Sequence, residues 1–173
     1  NDNKSFCMSV YGRSESSQTD GFYYIIRRLC RKYTEDFTMI KLIAGKKGTG
    51  KTKLLINAIH EAEQASNGNV VAIQIGSSLN IDIYHKVRLV NIEDYNIDSY
   101  DAMYGFIAGM LASDYDCTDI FVDGILMICG RDMEKVGAMF DKVAAVSGEN
   151  THVTFTISAE VADLTENIKK YLK

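Results

Sequence analysis

Gly45-Lys46-Lys47-Gly48-Thr49-Gly50-Lys51-Thr52 spells G-x-x-x-x-G-K-[ST], and the reading of this octet decides the fold. Its glycines let the backbone curl so that successive N–H groups face one point, a concavity suited to the β and γ phosphates of a nucleoside triphosphate. Lys51 adds a positive charge, and Thr52 a hydroxyl that suits the shell of a Mg²⁺ ion. The flanks give the octet its context. Met39-Ile40-Lys41-Leu42-Ile43-Ala44 is a short apolar run, and Leu54, Leu55, Ala58, Ile59 and Ala62 recur at helical spacing before Asn67-Gly68. Strand, loop and helix therefore follow in order. The helix N-terminus, with its positive partial charge and unpaired N–H groups, favours an anion at the same place.

From Met39 onward the same alternation continues, which predicts an α/β three-layer sandwich with a mostly parallel sheet and right-handed crossovers. Val70 to Ile75 reads as the second strand, ended by Gly76-Ser77-Ser78, and Val87 to Ile92 as another; 79–86 is open between loop and short strand. A helix from about Asp98 turns Met103, Phe106, Ile107, Met110 and Leu111 inward, with Gly105 and Gly109 expected to permit close packing. Ile120-Phe121-Val122-Asp123 is a buried strand. Met133, Val136, Phe140 and Val143 mark a helix that stops at Gly148, Val153 to Ile157 the last strand, and Val161, Leu164, Ile168 and Tyr171 the last helix.

With 173 residues, 46% of them apolar, the chain can bury one α/β core and not two. Residues 1–38 read as an extension. Its first 21 residues are polar and aperiodic, expected to be disordered, and Phe22 to Tyr33 is a basic, aromatic, amphipathic segment. That segment suits either packing on the domain or contact with an anionic membrane or nucleic acid. The net charge is −4, with thirteen Lys/Arg against eighteen Asp/Glu in 39–173, so the domain is acidic and nucleic-acid binding by it is not expected. Cys7, Cys30, Cys117 and Cys129 lack metal-site spacing and read as reduced thiols of a cytoplasmic protein. No run of 18 apolar residues suggests a membrane span.

Asp119-Ile120-Phe121-Val122-Asp123 is an apolar strand closed by a carboxylate. Asp123 ends the strand, whereas Asp119 opens it and belongs at the sheet's far edge. Together with the octet, this segment makes 39–173 resemble the P-loop NTPase superfamily, with Gly45–Thr52 as Walker A and Asp123 closing Walker B. In its brevity the domain is similar to a group of small bacterial P-loop proteins labelled ATP-binding or twitching-motility ATPase. The resemblance implies a P-loop NTPase fold for 39–173 and a nucleoside triphosphatase using ATP and Mg²⁺. Gly45, Lys46, Lys47, Gly48, Thr49, Gly50, Lys51 and Thr52 would hold the nucleotide, Thr52 and Asp123 the metal, and Lys51 and Asp123 would carry catalysis. No N-K-x-D segment is present to read guanine.

Gly124 stands where many ATP-hydrolysing P-loop proteins place a water-activating Glu, so the resemblance implies slow hydrolysis coupled to a conformational or partner switch. Glu93, Asp94 and Glu160 are the carboxylates left to replace it. Ser77, Ser78, Thr156 and Ser158, at strand ends, either sense a γ-phosphate or cap helices. Arg131 is either an exposed helix start or a finger for a neighbouring subunit, and a protein partner or homo-oligomer is in keeping with so small a domain. Two other functions stay open: a small-molecule kinase of the nucleoside-kinase type, for which Arg88 and Arg131 are the domain's arginines, and a degenerate, structural P-loop module.

Overall fold

Short runs of five or six residues rich in Val, Ile, Leu and Phe form the strands: β1 (Ile40–Ala44), β2 (Asn69–Gln74), β3 (Val87–Asn91), β4 (Cys117–Val122) and β5 (His152–Ile157). The computed structural model describes residues 39–77, 79, 86–148 and 151–172, which lie in a compact unit of Thr38–Lys173. The extension at 1–38, with its expected disorder and basic segment, lies outside the described residues. Every named strand pair is parallel, and the sheet order is β1-β5-β4-β2-β3. A parallel sheet needs cover on both faces. It is supplied by α1 (Lys51–Ala65), α2 (Tyr100–Ser113), a short α3 (Ile125–Ile128), α4 (Met133–Val146) and a short α5 (Glu166–Lys169).

Side chains alternate across the sheet with period two, so neighbouring residues enter different layers. Val70, Ala72 and Phe121 pack with Leu55 and Ile59 of α1. Val71, Ile73, Ile120, Val122, Val153 and Phe155 pack on the opposite side with Met103 and Ile107 of α2 and Val136, Phe140 and Val143 of α4. Phe140 lies against Phe155 at a centroid distance of 4.4 Å. Each such aliphatic or aromatic side chain stabilises the fold by about 1.5–3 kcal/mol through burial. The three-layer α/β architecture is the one expected from the sequence.

Several local expectations fail. The last helix is broken: Val161–Asp163 is a 3₁₀ turn, α5 follows, and Val161 is exposed although Leu164, Ile168 and Tyr171 are buried. Leu54, one of the apolar residues at helical spacing, is 56% exposed on α1. Gly105 and Gly109 allow no close packing, because a Cβ added at either would meet nothing within 4 Å. Phe106, Met110 and Leu111 do turn inward and pack against the core, though they are only partly buried. Of the ambiguous segment, 80–85 lies outside the described residues, as does Ser78.

The strand β5 enters the sheet between β1 and β4, pairing Ile43 with Thr156 on one side and Val122 with Phe155 on the other. The strand ends that lead into the 45–52 loop and into Asp123 are therefore separated by the end of β5.

Candidate functional site

The octet forms the turn between β1 and α1. Gly48 and Gly50 both have φ 84°, a left-handed backbone costing an L side chain about 1–2 kcal/mol. A Cβ on Gly45 would lie 2.7 Å from Thr49 Oγ1, so a side chain there would have to displace that hydroxyl. Thr49 and Lys51 both turn back on the loop: Thr49 Oγ1 donates to the Lys46 carbonyl at 2.8 Å and Lys51 Nζ to the same oxygen at 2.7 Å. Lys51 is a buried lysine, 8% exposed. Lys47 is exposed, and the Lys46 ammonium lies 2.6 Å from Glu160 Oε1, so Lys46 is not simply solvated.

The three long helices differ at their starts. Ser99 caps α2 by accepting from Ala102 N–H, and Asp132 caps α4 by accepting from Lys135 N–H. Acidic residues stand in both first turns, Asp101 and Glu134. At α1 the capping position is Gly50, no side chain caps the turn, and no acid occupies it. Its first N–H groups and positive end thus face the loop with no side-chain acceptor, the arrangement that suits an anion.

Asp123 reaches this helix end from the sheet. Phe121 packs on the α1 side, so Asp123, two residues on, projects to the same side. Its Oδ2 accepts from Thr52 Oγ1 at 3.3 Å across 71 residues of sequence, and its Oδ1 accepts from Thr156 Oγ1 at 2.7 Å. Thr156 Oγ1 in turn accepts from Gly124 N–H at 2.7 Å, and the Asp123 N–H donates to the Ile73 carbonyl at 2.9 Å. The carboxylate is thereby fixed from two sides. Because β5 stands between β1 and β4, its Thr156 sits where the octet and the carboxylate converge, and Gly45 N–H bonds the Ile157 carbonyl at 3.3 Å. An Oγ of Thr beside a carboxylate is an all-oxygen donor pair, the type that hard Mg²⁺ takes.

The remaining candidates separate by position. Glu160 stands on the loop. Glu93 and Asp94 follow β3 at the opposite edge of the sheet, where Asn91 Nδ2 donates to Asp94. Asp119, expected to open its strand, is the third residue of β4, which starts at Cys117; it lies 3.9 Å from His152 Nδ1. Arg131 and Ser77 are exposed, and Arg88 is exposed on β3. Gln74, which nothing in its local pattern singles out, ends β2 on the α1 side beside Asp123; it is 1% exposed and accepts from Leu79 N–H at 2.6 Å. Only the strand order could have revealed it. Cys117 and Cys129 are buried free thiols, and burial pushes the pKa of both up to about 11. No group of three or more metal-ligating His, Cys, Asp or Glu occurs among the described residues. Nor is any described helix long and apolar enough to cross a membrane.

No protein-family model and no curated protein matches the chain. Solved structures do. One, of C. elegans PCH-2, is 16% identical with a TM-score of 0.49, over 88% of this chain and 39% of that one. Another, the pCW3 conjugation coupling protein TcpA in monomer form with ATPgS, is 13% identical with a TM-score of 0.37, over 76% of this chain and 46% of that one. This chain thus spans less than half the length of either solved chain.

Proposed function

We propose that the chain is a P-loop NTPase domain that binds ATP with Mg²⁺ and hydrolyses it slowly. The observation that carries this reading is the meeting of Thr52 and Asp123, 3.3 Å apart, at a helix N-terminus that has no cap of its own. The backbone N–H groups of 45–52 would cradle the β and γ phosphates, and Lys51 would leave the Lys46 carbonyl for them. Thr52 and Asp123 would hold Mg²⁺, whose charge offsets that building on the phosphate oxygens during transfer.

Thr156 keeps the Asp123 carboxylate aimed at Thr52, and its place at the end of β5 suits a group that registers the γ-phosphate. Turnover is slow on this reading because Gly124, at φ 74°, offers no carboxylate to align water. A nucleotide held long and cleaved slowly suits a conformational or partner switch better than a motor.

Calorimetry of the full chain with ATP, GTP and ADP, with and without Mg²⁺, tests the reading. Lys51→Ala is expected to weaken Mg²⁺-ATP binding at least about tenfold, the worth of a hydrogen bond to a charged group. Asp123→Asn is expected to remove the Mg²⁺ dependence and leave metal-free binding in place. Absence of ATP binding by folded wild-type protein would overturn the reading and leave a structural module.

A further inference from the structure

Lys46 is held at both ends of the residue. Its carbonyl takes Lys51 Nζ and Thr49 Oγ1, and its ammonium meets Glu160 Oε1 at 2.6 Å. Glu160 follows β5, the strand whose Ile157 carbonyl already accepts from Gly45 N–H. A carboxylate thus stands against the rim of the proposed phosphate loop. The two side chains are 67% and 50% exposed, so water screens the pair and it is weak. A triphosphate carries several negative charges and would win Lys46 from a single carboxylate.

We propose that Glu160 competes with nucleotide for Lys46: it holds the lysine in the nucleotide-free protein, yields it when phosphate enters, and so lowers the affinity for ATP. This rests on the assignment of 45–52 as a phosphate loop. Glu160 is a determinant of affinity that acts through Lys46. It therefore shapes how readily the site fills and empties, not how the phosphate is cleaved.

The test is Mg²⁺-ATP titration of the full chain as wild type, Glu160→Gln, Lys46→Gln, the double variant and Lys51→Ala, with circular dichroism to verify folding. Glu160→Gln is expected to tighten ATP binding about two- to fivefold, the range a screened pair allows. Lys46→Gln is expected to weaken it, and the gain from Glu160→Gln to vanish when Lys46 is already absent. Unchanged or weaker binding by Glu160→Gln overturns the proposal. So does an equal gain with and without Lys46, which would make Glu160 a repelling charge independent of the pair. If Lys51→Ala abolishes binding while Glu160→Gln has no effect, the competitor role alone fails; if the wild type does not bind ATP, it falls together with the nucleotide reading.

Discussion

Thr156 was one of several polar strand-end residues in the sequence, and its hydroxyl proves to serve two partners, donating to Asp123 Oδ1 and accepting from Gly124 N–H. Replacing it with Val keeps the shape and strands both partners, so Thr156→Val is expected to lower stability by about 1–3 kcal/mol in denaturant unfolding. Thr156→Ser, which keeps the hydroxyl, should recover most of that loss. The buried thiols give a second prediction at this scale. With the Cys117 and Cys129 thiols pushed up to about 11, little thiolate is present at pH 8, and burial blocks access. Peptide mapping after iodoacetamide should find both unmodified in the native protein and alkylated in denaturant. The octet itself was legible because its spacing is fixed by backbone curvature. Glu160 was legible only as a leftover carboxylate, since its link to Lys46 crosses more than a hundred residues.

Among the elements, the loop and α1 follow from local rules, while the chain end does not. Four apolar residues at helical spacing suggested one final helix, yet Val161 lies exposed in a separate turn and Tyr171 is anchored from outside. Its hydroxyl donates to Asp141 Oδ1 at 2.7 Å, the Lys170 ammonium reaches the same oxygen at 2.7 Å, and its ring packs edge-on to Phe140. Lys170, and after it the Tyr171 hydroxyl, hold the Asp141 carboxyl below its ordinary 3.8. A carboxyl whose folded value is depressed contributes stability above its unfolded value and loses it as the pH falls through the folded one. The melting temperature of Asp141→Asn should therefore fall below wild type at pH 7 and converge with it below about pH 4. Tyr171→Phe should cost about 1 kcal/mol at pH 7. In the octet, Gly50→Ala must place an L side chain at φ 84° and is expected to cost about 1–2 kcal/mol in the same measurement.

For the molecule as a whole, alternation of apolar runs with amphipathic helices was enough to read a three-layer α/β sandwich, because burying a parallel sheet leaves few other solutions. Strand order was not legible: β5 carries no residue that announces which neighbours it will take, and register arises only when the faces meet. That order has a consequence in time. Ile40 pairs with Val153, and Leu172 bridges to Leu42 of β1, so among the described residues both partners of β1 come from the last part of the chain. Contacts between distant segments form late because closing the intervening loop costs entropy. As the chain leaves the ribosome, the octet and then Asp123 emerge well before the strand that must slip between them. A nascent chain stopped at residue 148 would carry the octet and Asp123 but neither β5 nor its Thr156, so the hydroxyl that fixes the Asp123 carboxylate from the middle of the sheet arrives only when nearly the whole chain has been made.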